Sequence, residues 1–195
     1  MVSMKNVSFY YDSETKACGV ENINLEIKKG EVVLLCGESG CGKTTLTRLL
    51  NGLIPHYFEG ELTGEVDINN EDITKMPLHE TAKYVGSVFQ NPRSQFFNVD
   101  TNSELAFACE NQGFPVNEIN RRIEKTVGQL ALENLMNRSL FDLSGGEKQK
   151  IACGCVHTIS PDIIVLDEPS SNLDAGGQIR WQEQLSIGKA MAKRL

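Results

Sequence analysis

The segment Gly37-Glu38-Ser39-Gly40-Cys41-Gly42-Lys43-Thr44 has the spacing G-x-x-x-x-G-K-[ST], in which each residue type answers a need of a bound phosphate chain. Glycines let the main chain curl so that successive N–H groups face phosphate oxygens. A helix that starts where the loop ends adds the positive end of its dipole. Lys43 is placed to reach the β- and γ-phosphates and the Thr44 hydroxyl to hold magnesium, with Thr45 next on the same helix start. Average composition produces such a match by chance in on the order of one percent of chains this long. The required context, a strand before and a helix after, is rarer still. The expected ligand is ATP or GTP.

Two more patterns could serve the same chemistry. Ile163-Ile164-Val165-Leu166-Asp167-Glu168-Pro169 ends an apolar strand in two carboxylates. In an open α/β sheet, ligands bind beyond the carboxyl ends of the strands. Asp167 suits magnesium, through water, and Glu168 suits a general base acting on water. The plainer reading is a strand end with two solvated acids. Leu143-Ser144-Gly145-Gly146-Glu147 opens a predicted helix with bare backbone, which is either another phosphate contact or an ordinary helix N-cap.

The elements that must position these residues follow from periodicity. Val7-Ser8-Phe9 and Ile23–Ile27 alternate as strands around a turn at Asp12-Ser13-Glu14, and Lys28-Lys29-Gly30 is a second turn. Val32–Cys36 is a continuous apolar run, which predicts a strand buried on both faces. Thr44–Leu50 reads as a helix, and turns are expected at Gly60, Gly64 and Asn69-Asn70. Tyr84–Phe89 and Ile163–Leu166 read as further strands, the latter buried. Residues 103–157 read as mainly helical, with Asn117 as a candidate cap for a helix that turns Ile119, Ile123, Val127 and Leu130 to one face. From about Gln178 the chain again reads as helical and polar.

The 195 residues carry a net charge of −7. A generic nucleic-acid binder has a basic excess, so no nucleic-acid partner is expected. No apolar stretch approaches the roughly 18 residues needed to span a bilayer, and Met1–Lys5 has no apolar signal core. Any membrane role is therefore expected to come through a partner. Cys18, Cys36, Cys41, Cys109, Cys153 and Cys155 contain no CxxC pair. Cys153 and Cys155 point to different sides of a helix, so free thiols in a reducing cytosol are expected rather than zinc or disulfides.

The order of motifs narrows the class. The phosphate loop, a strand ending in Gln90, Leu-Ser-Gly-Gly-Glu, Asp-Glu and then Ser171-Asn172-Leu173-Asp174 together resemble the ATP-binding cassette (ABC) ATPases over nearly the whole chain. The resemblance implies an α/β P-loop cassette with a parallel core sheet, an N-terminal antiparallel layer and a helical subdomain near 100–155, all in one domain of residues 1–195. It implies ATP and Mg2+ as cofactors. Tyr11 matches the aromatic that stacks on adenine, with Tyr10 as competitor and an edge-strand aromatic as the plain alternative. Gln90 matches the residue that senses magnesium and the attacking water, at the docking surface for a membrane partner. Ser144, Gly145 and Gly146 match the signature that contacts ATP bound to the opposite subunit, and Asp174 closes a loop across that interface. Partners implied are a second ABC domain and transmembrane subunits, with the chain peripheral on the cytoplasmic face of the membrane.

Gly52–His56, Gly60–Gly64, Gln90-Asn91-Pro92 with Gln95-Phe96-Phe97, and Asp167–Asp174 are similar to the ATPases of energy-coupling factor importers of vitamins or metal ions, closest to the first half of fused pairs. The family pattern continues into a strand ending in a switch histidine. His56, His79 and His157 all precede that place, so the chain is expected to stop short of it. A soluble ABC protein of translation or DNA repair is the alternative, as is a non-hydrolysing half of an asymmetric pair, against which Glu168 argues. Phe96 and Phe97 are either core or the lining of the membrane-subunit groove. Cys41, at a helix start inside the loop, is either an inert filler or a reactive thiol.

Overall fold

A computed structural model describes residues 1–167 and 192–194. The described residues form one unit of 1–85 with 192–194 and another from 86 onward.

In the first unit, β1 (Val2–Tyr10) pairs antiparallel with both β2 (Gly19–Ile27) and β4 (Glu61–Ile68), and β5 (Glu71–Asp72) adds to β4, giving the order β2-β1-β4-β5. This is the antiparallel layer expected from the alternating pattern. Val2, Met4, Val7 and Phe9 of β1 and Val66 and Ile68 of β4 are buried. Asn69 and Asn70, at φ 53° and 68°, make the two-residue turn from β4 to β5, as asparagine in the left-handed region allows. Gly64 departs from expectation. It lies inside β4 at φ 86°, where a Cβ would stand 2.5 Å from the Asn6 carbonyl oxygen, and the β1–β4 register shifts between Lys5 and Ser8. It is a bulge, not a turn.

β3 (Val32–Leu34) is shorter than the apolar run and is not buried on both faces; Leu34 is 49% exposed. Among the described residues its one neighbour is β8 (Ala192–Arg194), which runs parallel to it, so one edge of β3 is unpaired there. That places a strand where the tail was expected to be helical; positions 178–191 lie outside the described residues. The phosphate-loop segment leads into α1 (Lys43–Leu50), and α2 (Leu53–His56) and α3 (Leu78–Tyr84) follow. Tyr84, expected in a strand, closes α3 instead.

The second unit contains all but the first residue of β6 (Val85–Val88), a 3-10 turn at Pro92–Ser94, α4 (Thr101–Asn111), α5 (Val116–Leu130), α6 (Gly145–Ile159) and β7 (Ile163–Leu166). β6 and β7 pair, and the Asp167 N–H donates to the Val88 carbonyl at 3.0 Å. The carboxyl ends of the two strands therefore lie side by side. β7 is only partly buried, with Ile164 53% exposed. α6 lays Ala152 and Val156 against Val88 and Leu166. On another side it joins Leu105, Leu132 and Leu135 in a core that Ile123, Val127 and Leu130 of α5 cover. The apolar face of α5 is as expected, but its N-cap is Pro115 rather than Asn117. Proline supplies the extended entry and has no N–H to leave unsatisfied.

Candidate nucleotide site

The phosphate-loop residues lie in the first unit. Gly40 and Gly42 have φ 82° and 95°, and Gly42 is the residue from which α1 starts. A Cβ on Gly42 would stand 2.6 Å from Val20 Cγ1 of β2, so steric space and backbone conformation both demand glycine. Gly37, Glu38, Ser39, Gly40 and Cys41 are exposed, and the Cys41 N–H donates to the Glu38 carbonyl at 3.3 Å. The Lys43 ammonium donates to the carbonyls of Gly37 at 2.9 Å and Glu38 at 2.7 Å and lies 3.7 Å from Cys41 Sγ. Among the described residues these partners are all uncharged, and they hold the cation inside its own loop. Thr44 is exposed and Thr45 buried.

Tyr11 is tied to the same helix. Its hydroxyl accepts from Arg48 Nη1 at 2.9 Å and lies 3.2 Å from Thr45 Oγ1. Its ring meets Phe9 and Phe58 edge-on, and the Arg48 guanidinium sits 3.9 Å from the centroid of Phe58. Tyr10 instead has Lys16 over its ring, at 5.1 Å. Sequence reasoning missed Arg48 and Phe58, since no motif marks them.

In the second unit, the β6–β7 pairing brings Gln90 and Asp167 to one end of the strand pair, because Asp167 bonds to Val88, two residues before Gln90. Glu168, Ser171, Asn172 and Asp174 lie outside the described residues. Ser144 caps α6: its hydroxyl accepts the Glu147 N–H at 3.3 Å, and Glu147 accepts the Ser144 N–H at 2.8 Å. Gly145 and Gly146 form the first turn behind that cap. Hydrogen bonds from Ser144, then from Arg138 at 2.9 Å, hold the Glu147 carboxyl below its ordinary range. Lys148 is buried and donates to the Leu143 carbonyl. The helix start thus has the N-cap that the plainer reading expected.

His56 and His79 are exposed, on α2 and α3. His157 is in the last turn of α6, with Nδ1 2.8 Å from Thr126 Oγ1. All six cysteines are free. Among the described residues no cluster of three or more His, Cys, Asp or Glu could hold a metal ion, and no helix is long and apolar enough to cross a membrane. Magnesium does not need an all-protein cage: it is commonly held by one or two side-chain oxygens together with phosphates and water. Thr44 in the first unit, and Gln90 and Asp167 in the second, each carry a hard oxygen donor of the type magnesium takes.

The ABC transporter family model matches residues 20–171. A protein of Treponema denticola, provisionally named an ABC transporter ATP-binding protein, is 55% identical over 89% of this chain and 35% of its own length. A similarly named protein of Pyrococcus abyssi is 40% identical over 99% of this chain and 68% of its own. This chain spans about a third (35%) of the first curated relatives it matches. Among solved structures, a dimeric ATP-binding cassette in a post-hydrolysis state with ADP and Pi superposes with a TM-score of 0.80 at 26% identity, covering 100% of this chain and 87% of that one. The cbiO1 structure from Clostridium perfringens, described as part of the ABC transporter complex cbiONQ, gives 0.78 at 24% identity, covering 99% and 77%. The fold is the ABC-type P-loop fold, with parallel and antiparallel strands and a helical region, and the chain belongs to the ABC transporter ATP-binding family.

Proposed function

We propose that this chain is the ATP-binding and ATP-hydrolysing domain of a transporter, of the energy-coupling factor type that imports a vitamin or metal ion. The observation that carries the reading is the phosphate loop: a glycine-framed turn at the start of α1 with the Lys43 ammonium held by the neutral carbonyls of Gly37 and Glu38. A phosphate chain offers that ammonium an anionic acceptor in place of neutral carbonyl oxygens, which adds direct charge–charge attraction to the hydrogen bonds it makes. Main-chain N–H groups of residues 37–45 take the remaining phosphate oxygens, and Tyr11, fixed by Arg48 and Thr45, stacks on adenine.

Thr44, Gln90 and Asp167 are the residues that would hold magnesium, which would supply neutralisation of phosphate charge. Gln90 orients the attacking water and Glu168 takes its proton, giving ADP and phosphate; Lys43 stabilises the charge that moves to the phosphates. Catalysis of this kind is mostly positioning and electrostatics. Ser144, Gly145 and Gly146 contact ATP bound to a second ABC domain, so two domains enclose two nucleotides. Both units belong to one cassette, whose helical subdomain lies near 100–155. Closing the pair moves transmembrane subunits, and the protein works at the cytoplasmic face of the membrane.

The test is isolation of the tagged full chain from detergent-solubilised membranes, with bound proteins identified by mass spectrometry and ATP binding checked in parallel. Polytopic membrane subunits together with a small substrate-binding membrane protein are expected. Recovery of ribosomal or repair proteins alone, with ATP binding intact, would replace this reading by the soluble one.

A further inference from the structure

β6 delivers Gln90, and the geometry around its last residues is more constrained than a strand entering an open loop requires. On one edge the Val88 carbonyl accepts from Asp167 of the β7 end at 3.0 Å. On the opposite edge, Ser87 and Phe89 present a carbonyl and an N–H. Both are engaged by one side chain: Gln95 Nε2 donates to the Ser87 carbonyl at 3.0 Å, and Gln95 Oε1 accepts the Phe89 N–H at 3.3 Å. A residue of a neighbouring parallel strand bonds in the same way, its N–H and C=O spanning the residues on either side of the one opposite. The Gln95 carboxamide therefore bonds to β6 as one peptide unit of a parallel neighbour would.

The chain between these points is short and stiff. Asn91 caps the Pro92–Ser94 turn by accepting the Arg93 N–H at 3.1 Å, and Ser94 Oγ donates to the Asn91 carbonyl at 2.8 Å. Beyond Gln95, the buried carboxylate of Glu104 accepts the N–H groups of Phe97 at 3.1 Å and Asn98 at 2.7 Å. The downstream end is thus fixed to α4, and the upstream end, where Gln90 emerges, is fixed by Gln95.

We propose that Gln95 is a positioning residue for Gln90: its carboxamide clamps Ser87 and Phe89 at the end of β6 and sets the main chain from which Gln90 reaches magnesium and the attacking water. This rests on the role given to Gln90 above. The pairing needs a donor and an acceptor in one planar group. Methionine at 95 keeps the length and loses both. Glutamate keeps the acceptor but, ionised, sets an oxygen against the Ser87 carbonyl; protonated, it regains an O–H donor and restores the pattern.

The test compares the full chain in its two-domain ATPase assembly with Q95M, Q95E, Q90A and Q90A/Q95M. It measures kcat, the magnesium concentration for half-maximal rate, binding of a fluorescent ATP analogue without magnesium, and thermal unfolding. Q95M is expected to lower kcat by up to about a hundredfold, the scale of a roughly 1 Å misplacement of a reacting group, and to raise the magnesium requirement. Nucleotide affinity without magnesium should stay unchanged. Q90A/Q95M should be no slower than Q90A. Relative to the parent protein, Q95E should recover kcat as the pH is lowered, a profile that general destabilisation does not produce, and this arm decides the matter if Q95M does not fold. Parent-like kcat in Q95M alongside a slow Q90A, multiplying losses in the double variant, or a flat Q95E profile would overturn the proposal. If Q90A itself is as fast as the parent, the role of Gln90 fails and the proposal with it.

Discussion

At Gly42 the phosphate loop, the first helix and the strand layer meet, and no side chain fits. Alanine there must take up φ 95° and push Val20 Cγ1 from 2.6 Å. G42A is expected to lose about 1–3 kcal/mol of unfolding free energy, the scale of a strained backbone position, as read by urea denaturation. Val20→Ala in the same background should return the steric part and leave the conformational part. Its neighbour Cys41 has Sγ folded over Gly37 and 3.7 Å from the Lys43 ammonium. In the proposed site, an adduct on this sulfur would crowd the Gly37–Lys43 loop where phosphates bind. A maleimide is expected to block nucleotide binding, ATP to protect, and C41S to remove the sensitivity; unchanged sensitivity in C41S would show that another thiol is the target.

The segment after Gln90 separates two phenylalanines that the sequence left equivalent. Phe96 packs against the cores on both sides of α6. Phe97 is 77% exposed and stacks on Phe107 at 4.9 Å. Phe96→Ala is expected to cost about 3 kcal/mol, near the lower end for a core phenylalanine. Phe97→Ala should change stability within about 0.5 kcal/mol, as surface substitutions do, and should uncouple transport from ATP hydrolysis while leaving ATP binding intact. Transport at the parent rate in Phe97→Ala would remove it from the docking surface.

Such differences mark the limit of what the sequence discloses. Signals that act within a few residues were legible: the loop before α1, the Asn69-Asn70 turn, the apolar face of α5, the Ser144 cap. What depends on chain segments meeting was not. Gly64 reads as a turn until Asn6 of the neighbouring strand shows it to be a bulge. Val32–Cys36 reads as doubly buried because composition does not say how many neighbours a strand has. Arg48 on Tyr11 and Gln95 on Ser87 carry no motif at all, since a side chain that serves another segment's main chain leaves no periodicity.

Over the molecule as a whole, acid should act in two stages, both arising in the second unit. Hydrogen bonds from Arg121 and Arg122 bring Glu118 from its ordinary 4.5 to about 2. Its folded value is depressed, so its contribution is complete above about 4.5 and is lost as the pH falls toward 2. Burial, then the Lys125 charge, pushes His157 below its ordinary 6.5. The folded state prefers the neutral ring, so that contribution is complete above about 6.5 and falls away below it as protons bind the unfolded chain first. Thermal midpoints measured against pH should decline first near the histidine range. His157→Gln should flatten that stage, and Glu118→Gln the lower one.

The cysteines divide along the same line. Cys18, Cys36 and Cys41 of the first unit are exposed. In the second unit, burial pushes the thiols of Cys109, Cys153 and Cys155 upward, away from the reactive thiolate. The chain is therefore already a one-sided labelling substrate: a dye or spin probe added to the native protein should mark the nucleotide-loop half alone, and a tag appearing on the helical half would time its opening.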